Sequence, residues 1–191
     1  MKSNKVKTQN LASQHKNISK FLSLILRHNP DTIGLRLDEN GWADVSELIT
    51  KVSHSKPAFT SKILENVVKS CDKQRFAFNE DKSKIRASQG HSIQVDLEYE
   101  AKQPPEFLYH GTVGKFREEI KKKGLLKMSR HHVHLSEELE TATKVGARRG
   151  VPIILTISSG DMYRKGIQFY QSDNGVWLTD TVAPEYIEFK A

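Results

Sequence analysis

The stretch AKQPPEFLYHGT, residues 101–112, divides the sequence into two parts with different patterns. Pro104 and Pro105 have no backbone N–H to donate, so they end any helix or strand ladder that reaches them. Apolar residues at helical spacing dominate before the prolines, whereas short apolar strands and small helices follow them. We therefore expect two lobes within the 191 residues. The expected segments are a basic flexible tail at 1–16, a first lobe at 17–95, a linker at 96–106 and a second lobe at 107–191.

The first lobe has the element order of a winged helix. Apolar spacing predicts a helix that starts at Ile18, after a cap at Asn17 or Ser19, and that Pro30 ends. The next expected elements are a strand at Leu35 and Leu37, a turn at 38–41, a helix capped by Asp44, a helix starting near Thr60, and a hairpin of Phe76–Phe78 with Ile85–Ala87. Winged helices commonly bind nucleic acid, although many bind proteins instead.

The charge is concentrated in the first half of the chain. Residues 1–95 contain 16 Lys and Arg against 9 Asp and Glu, which gives the whole net charge of +7. Residues 96–191 contain 14 of each, so their net charge is zero. The first 20 residues include no acidic residue and five lysines, which are Lys2, Lys5, Lys7, Lys16 and Lys20. This imbalance favours a polyanionic partner, although a lysine run alone is also typical of a solubilising tail.

The second lobe is predicted to be α+β, built on a mostly antiparallel sheet. Phe116 and Ile120 indicate a helix that Gly124 ends, and residues 142–149 indicate another. Alternating apolar residues predict a strand at 93–97 and, beyond the prolines, strands at 107–109, 133–135, 153–157, 168–170, 176–178 and 186–189.

Several classes of protein are excluded or disfavoured. Cys71 is the only cysteine, which rules out a disulfide within the chain and any cysteine-based zinc cluster. It also favours a reducing compartment, and we expect a cytoplasmic protein without a secretory signal. No apolar run approaches the roughly 18–20 residues of a membrane helix. No standard nucleotide-binding motif occurs, since the glycines at 111 and 114 are too close together.

Three histidines at 131, 132 and 134 raise the question of a metal site. On a strand, His132 and His134 share one face while His131 points away, and no carboxylate occurs nearby before Glu137. Because two ligands do not complete a site, we expect no metal; contact with a substrate, or a plain structural strand, is favoured instead.

Seven ordered motifs resemble one known family. They are LRHNP at 26–30, GWA at 41–43, IRASQGHS at 85–92, LYHGT at 108–112, HHVHLS at 131–136, GAR at 146–148 and NGVWLT at 174–179. The series is similar to the NAD-dependent RNA 2′-phosphotransferases of the KptA type, and the resemblance covers about residues 17–189. It implies a winged-helix first lobe and a second lobe like those of ADP-ribosyltransferases.

The resemblance also implies a two-step reaction on RNA that carries an internal 2′-phosphate. NAD would be the co-substrate, no metal would be required, and a monomer is expected. The 2′-phosphate would first attack the nicotinamide ribose and expel nicotinamide. The ribose 2″-hydroxyl would then attack the phosphorus, giving 2′-hydroxyl RNA and ADP-ribose 1″,2″-cyclic phosphate.

The resemblance assigns residues to both parts of this reaction. The catalytic set would be Arg27, His28, Arg86 and Arg148, with the arginines on the phosphate and His28 moving a proton. The NAD-binding set would be His110, Gly111, Thr112, His134 and Ser136. Val176 would stand where many protein-modifying ADP-ribosyltransferases carry a catalytic Glu, in agreement with an acceptor that is already an anion.

Two other functions compete with this interpretation. One is an ADP-ribosyltransferase that modifies nucleic-acid ends and stops after the first step. The other is a winged-helix protein that senses NAD or ADP-ribose without turnover. Retention of all four predicted catalytic residues argues against both, because neither function needs cations for a second step at phosphorus.

Overall fold

The computed structural model describes residues 2–71 and 73–189, with side chains from residue 13 onward. The chain divides into two compact units, Met1–Glu98 and Tyr99–Ala191. Each unit has its own apolar core. Within the described ranges, no helix combines the length and the apolar character of a membrane span.

The first unit packs three helices against a small sheet. In chain order, its elements are α1 (Lys2–Arg27), a 3-10 helix (Pro30–Ile33), β1 (Ala43–Asp44), α2 (Val45–Ser55), α3 (Ser61–Lys69), β2 (Phe76–Phe78) and β3 (Lys84–Ala87). The strands form one antiparallel sheet in the order β1-β3-β2. Leu22, Leu48 and Leu64, one from each helix, are fully buried in the core together with Ile85 of β3.

Local side-chain chemistry sets several of these boundaries. Asp44 caps α2, because its carboxylate accepts the backbone N–H of Glu47 at 2.7 Å. Thr60 caps α3 in the same way through Ile63. Gly41 has a φ of 77°, a left-handed conformation that glycine adopts without strain, and it closes the turn that starts at Asp38. The predictions of the Asp44 cap, of a helix starting near Thr60, of this turn and of the β2–β3 hairpin are confirmed.

Other boundaries differ from the predictions. The helix predicted to begin at Ile18 begins at Lys2, so Asn17 and Ser19 lie inside it and do not cap it. Residues 2–16 contain no glycine or proline to interrupt a helix.

Two predicted strands are also wrong. Leu35 is buried and Leu37 is half-buried, but neither belongs to a strand, and the strand that pairs with β3 beside β2 is β1. Residues 93–97 form no strand either. They are held instead by single contacts, such as the bond from the Asp96 N–H to the Glu39 carbonyl at 2.8 Å. Alternating apolar residues do not make a strand where no neighbouring strand supplies hydrogen bonds.

The second unit alternates short strands with short helices. In chain order, its elements are β4 (Leu108–Val113), a 3-10 helix (Gly114–Phe116), α4 (Arg117–Lys123), β5 (Leu125–Leu126), β6 (Val133–Leu135), α5 (Leu139–Gly146), a 3-10 helix (Ala147–Arg149), β7 (Pro152–Ile157), α6 (Ser159–Arg164), β8 (Tyr170–Gln171), β9 (Trp177–Thr179), β10 (Thr181–Val182), a 3-10 helix (Pro184–Tyr186) and β11 (Ile187–Phe189). Every strand pairing is antiparallel, as predicted.

Three sheets make up this unit, in the orders β11-β7-β4, β6-β9-β8 and β10-β5. A bridge between Tyr109 and Ser136 joins β4 of the first sheet to the end of β6 in the second. Leu108, Leu155, Ile157, Met162 and Phe169 are fully buried in the core beneath. The mixture of helices and antiparallel strands confirms the predicted α+β class.

Candidate functional site

The end of α1 is tied to the segment that follows the hairpin. The N–H groups of His28 and Asn29 both bond the Leu24 carbonyl, at 3.0 and 2.9 Å, before Pro30 stops the helix. The carbonyl of Arg27 accepts the N–H of Ser92 at 2.9 Å and that of Ile93 at 3.4 Å. Residues of the first and third motifs are therefore neighbours in the fold.

The side chain of Arg27 is held against β2. Its Nη2 donates to the Arg75 carbonyl at 3.2 Å, and its guanidinium carbon lies 5.9 Å from the centre of the Phe76 ring. The N–H of Ser88 donates to the same carbonyl of Arg75 at 2.9 Å. These contacts restrict the guanidinium before any ligand arrives, which lowers the entropic cost of binding an anion.

His28 is oriented by a serine from the third motif. The Nδ1 atom of this exposed histidine lies 2.9 Å from the Ser92 hydroxyl. Because the backbone of Ser92 is bonded to Arg27, the serine is itself fixed relative to the helix end. Sequence reasoning included Ser92 in a motif but gave it no role, and the structure makes it the contact that orients the ring.

Arg86 stands on an aromatic ring. It lies on β3 opposite Ala77, and its guanidinium carbon is 4.5 Å from the centre of the Trp42 ring. A guanidinium over an indole face is stabilised by the ring's negative face. The backbone N–H of Trp42 donates to the Asp38 carboxylate at 2.8 Å. The turn at 38–41 therefore also positions Trp42, whose ring supports Arg86. The GWA motif alone indicated no such role.

In the second unit, His110 and His134 lie at the junction of β4 and β6. The Nδ1 of His110 donates to the His134 carbonyl at 3.0 Å. Burial lowers the pKa of His110, and the nearby positive charge of Arg130 lowers it further, against the opposite effect of that hydrogen bond. His110 is therefore neutral near pH 7, with its proton on Nδ1 and a lone pair on Nε2.

His134 has the opposite arrangement. Nη1 of Arg130 lies 3.3 Å from His134 Nδ1, and since a guanidinium only donates, this nitrogen accepts. A neutral His134 then carries its proton on Nε2. Burial and the neighbouring positive charge of Arg149 lower the pKa of Arg130. Arg149 is therefore a second cation close to Arg130. Sequence reasoning missed Arg130, and its only signal was a position four residues before His134.

Gly111 lets helix α5 lie directly on β4. A Cβ on Gly111 would stand 1.9 Å from the Ala142 carbonyl oxygen and 2.8 Å from the Gly146 nitrogen, closer than real Cβ atoms approach. Gly146 is tight as well, since its Cβ would lie 3.0 Å from Pro152 Cβ. This close packing positions the 3-10 helix Ala147–Arg149, on which Arg148 is exposed.

The remaining predicted NAD-binding residues lie on the same two strands. Thr112 is buried two residues beyond His110, so both side chains point to the same face of β4. Ser136 exchanges two backbone hydrogen bonds with Tyr109, each 2.8 Å long. The second unit thus brings His110, His134 and Ser136 together, and the contact of these residues with a ligand stays a prediction.

Among residues 2–71 and 73–189, no three His, Cys, Asp or Glu side chains are grouped so that they could hold a metal ion. The His132 ring instead packs against two aromatic rings. Its centre lies 5.5 Å from the centre of the Tyr170 ring and 6.3 Å from the centre of the Tyr99 ring. Its pKa is lowered, mainly by burial.

Comparison with known proteins identifies the family. Residues 13–181 match the model of a family described as RNA 2′-phosphotransferase, Tpt1 / KptA family. The chain belongs to this family of transferases, as the seven motifs predicted.

Three relatives cover nearly the whole chain, and each is called a probable RNA 2′-phosphotransferase. The protein from Flavobacterium johnsoniae is 64% identical over 92% of this chain and 97% of its own length. The protein from Burkholderia pseudomallei is 55% identical over 90% and 93%. The protein from Escherichia coli O9:H4 is 51% identical over 90% and 94%.

Proposed function

We propose that this chain removes an internal 2′-phosphate from RNA and transfers it to NAD. The observation that carries the proposal is the family match over residues 13–181, a range that contains all four predicted catalytic residues. We also propose that the first unit is a winged helix and that the second resembles ADP-ribosyltransferases. The order α1, β1, α2, α3, β2, β3 with one antiparallel sheet supports the first assignment.

In the first step, an oxygen of the RNA 2′-phosphate attacks C1″ of the nicotinamide ribose. The bond from C1″ to the nicotinamide nitrogen breaks, and neutral nicotinamide leaves with the electron pair. The RNA then carries ADP-ribose through its 2′-phosphate. Because the attacking group is already an anion, no side chain has to remove a proton, and the protein mainly orients the two reactants.

In the second step, the 2″-hydroxyl of the attached ribose attacks the phosphorus. The bond between phosphorus and the RNA 2′-oxygen breaks, the hydroxyl proton is lost, and the 2′-oxygen gains a proton. The products are RNA with a 2′-hydroxyl and ADP-ribose 1″,2″-cyclic phosphate. The transition state concentrates negative charge on the phosphoryl oxygens, so fixed cations accelerate this step.

The first unit supplies groups suited to the second step. The Arg27 guanidinium, held by the Arg75 carbonyl and Phe76, and the Arg86 guanidinium, held by Trp42, are proposed to bind phosphate oxygens. His28 is proposed to take the proton of the 2″-hydroxyl or to deliver one to the 2′-oxygen. The bond between His28 Nδ1 and Ser92 supports this role, because it fixes the ring's orientation.

Arg148, which belongs to the second unit, is also proposed to stabilise the negative charge that develops at phosphorus. The same unit supplies the residues proposed to hold NAD, which are His110, Gly111, Thr112, His134 and Ser136. Neutral His110 offers a lone pair at Nε2, which can accept a hydrogen bond from a ribose hydroxyl. A monomeric state and a cytoplasmic location stay predictions.

One incubation tests the function and separates it from the alternatives. The protein is mixed with NAD and an oligoribonucleotide carrying one internal 2′-phosphate, and all products are identified by mass. The proposal expects 2′-hydroxyl RNA, nicotinamide and ADP-ribose cyclic phosphate, and no turnover without NAD. Stable ADP-ribosylated RNA as the end product would instead show a one-step transferase, and binding of NAD without any product would show a sensor.

A further inference from the structure

We propose that α1 carries a track for the phosphates of the RNA strand, and that this track leads along the helix to Arg27. The track consists of Lys16, Lys20 and Arg27, which lie on one face of the helix. This inference rests on the proposed function, since it names how the same enzyme holds the RNA beyond the phosphorylated nucleotide.

The spacing of the three cations places them in line. With roughly 100° of rotation per residue, positions 16, 20 and 27 of a helix fall within about 40° of one another. The buried positions of α1, Ile18, Leu22, Ile25 and Leu26, fall on a different face. At a rise of roughly 1.5 Å per residue, Lys16 and Lys20 are separated by about 6 Å along the axis, and Arg27 follows about 10 Å further on.

Among the residues that the structure describes, the lysines of the track have no acidic partner. The sequence of α1, Lys2–Arg27, contains no Asp or Glu. In the described part of the first unit, the acidic side chains Glu47, Glu65 and Asp38 pair with Lys51, Lys82 and Lys84, and Lys16 and Lys20 take part in no ion pair. Both lysines are exposed, so their positive charges face solvent.

Two further exposed lysines flank α1 without belonging to the track. His15 Nδ1 is 3.4 Å from the hydroxyl of Ser70, the residue after Lys69, which ends α3. On the other side, the ammonium of Lys56, the residue after α2, lies 5.5 Å from the centre of the Phe21 ring. With roughly 100° of rotation per residue, positions 15 and 21 fall about 120° to either side of the track.

The track changes character along its length. Lys16 and Lys20 are exposed, whereas Arg27 is half-buried against Arg75 and Phe76. A row of flexible exposed lysines suits the sequence-independent binding of phosphates, and a restricted arginine suits a single phosphate in a defined place. The geometry therefore assigns the flanking RNA backbone to the lysines and the reacting 2′-phosphate to Arg27.

The test compares a long RNA with a short one. The double variant K16Q/K20Q is assayed with an RNA of about 20 nucleotides and with a trinucleotide, each carrying one internal 2′-phosphate. For the long RNA, we expect KM at 0.1 M salt to rise roughly 10- to 25-fold, since each lost contact removes about 0.7 from the slope of log affinity against log salt. For the trinucleotide, which does not reach the lysines, we expect KM and kcat to match the wild type.

The matched control is K115Q/K122Q, which removes two exposed lysines from the second unit and changes the net charge equally. It should leave KM for the long RNA unchanged, whereas an equal effect would mean that net charge alone acts. An unchanged KM or an unchanged salt slope in K16Q/K20Q would overturn the track, and so would an equal loss on both RNAs when circular dichroism shows native folding.

Failure of the proposed function would look different. In that case the wild-type protein would leave the 2′-phosphate on both RNAs. Binding of a 20-nucleotide RNA without a 2′-phosphate, measured against salt for the wild type and K16Q/K20Q, still tests the track: a slope lower by about 1.4 in the variant supports it, and superimposable slopes reject it.

Discussion

His110 and His134 show how neighbouring atoms give the same side chain two different protonation patterns. A carbonyl oxygen faces Nδ1 of His110, whereas a guanidinium faces Nδ1 of His134. A carbonyl requires a proton on the ring nitrogen and a guanidinium requires a lone pair. The two rings therefore offer a ligand opposite hydrogen-bonding groups. Nε2 of His110 is an acceptor, whereas Nε2 of a neutral His134 is a donor.

His110→Ala should impair the use of NAD and should not cause an intermediate to accumulate. The variant loses the proposed acceptor for the nicotinamide ribose, so we expect KM for NAD to rise at least tenfold. Steady-state kinetics at varied NAD, with the RNA products resolved by mass, check this. A build-up of ADP-ribosylated RNA in the variant would place His110 in the second step instead.

His28→Ala should slow the second step more than the first. Loss of a general acid or base typically costs about 10²- to 10⁴-fold in rate, and here the loss would fall on transesterification. Single-turnover reactions should show ADP-ribosylated RNA that persists in the variant. Arg148→Ala should give the same intermediate, because its proposed role is to stabilise charge at phosphorus.

The control for His28 is His54→Ala, which changes an exposed histidine in the last turn of α2. It should follow the wild-type time course. If His28→Ala abolished turnover with no intermediate at any time, its role would lie in the first step or in folding.

At the scale of elements, the backbone of α5 lies directly against the backbone of β4, and this contact positions several predicted functional residues. Gly111 and Gly146 allow the helix backbone to touch the strand, and the 3-10 helix with Arg148 follows directly. The strand side of this contact also carries His110 and Thr112. One packing contact therefore positions residues from both predicted functional sets.

Gly111→Ala should destabilise the second unit strongly. The added Cβ would meet the Ala142 carbonyl oxygen at 1.9 Å, and neither backbone can move without disturbing β4 or α5. We expect a loss of about 3 kcal/mol or more in the free energy of unfolding, equivalent to a fall of roughly 12 °C or more in Tm. Thermal unfolding followed by circular dichroism measures this.

Gly114→Ala is the matched control for this prediction. A Cβ at Gly114 would meet nothing within 4 Å, and its backbone has no positive φ. Its Tm should stay within a few degrees of the wild type. Equal effects of the two substitutions would show that the close approach at Gly111 is not what limits stability.

At the scale of the whole molecule, stability should fall as the pH drops below neutral. Folding lowers the pKa of both His110 and His132, mainly through burial. The unfolded chain therefore binds protons more readily, starting near pH 6.5, and the free energy of unfolding decreases from there down to the lower folded pKa values.

Urea unfolding at a series of pH values between 5 and 8 checks this dependence. His132→Gln should flatten the curve, because its share of the proton uptake is lost. A free energy of unfolding that rises as the pH falls from 7 to 5.5 would contradict the prediction.

The complete reaction should need NAD but no metal ion. The proposed cations of the second step are side chains, so excess chelator should leave the rate of 2′-phosphate removal unchanged. The control is the same reaction after dialysis against chelator and addition of Mg²⁺. Activity that returns only with the divalent ion would contradict the proposed chemistry.

The sequence alone determined the features that depend on neighbours along the chain. Asp44 and Thr60 cap helices because their side chains reach N–H groups three residues later, and Pro30 ends α1 because it cannot continue the ladder. Seven short motifs in one order also predicted the family, and the match over residues 13–181 confirmed it.

Only the tertiary structure decided what depends on partners distant in sequence. The alternating residues at 35–37 and 93–97 formed no strands, because a strand exists only where another chain segment completes its hydrogen bonds. In the same way, Trp42 under Arg86, Ser92 beside His28 and Arg130 beside His134 are contacts that folding creates. Local propensity acts over a few residues, whereas the orientation and protonation of a functional side chain depend on whatever the fold packs against it.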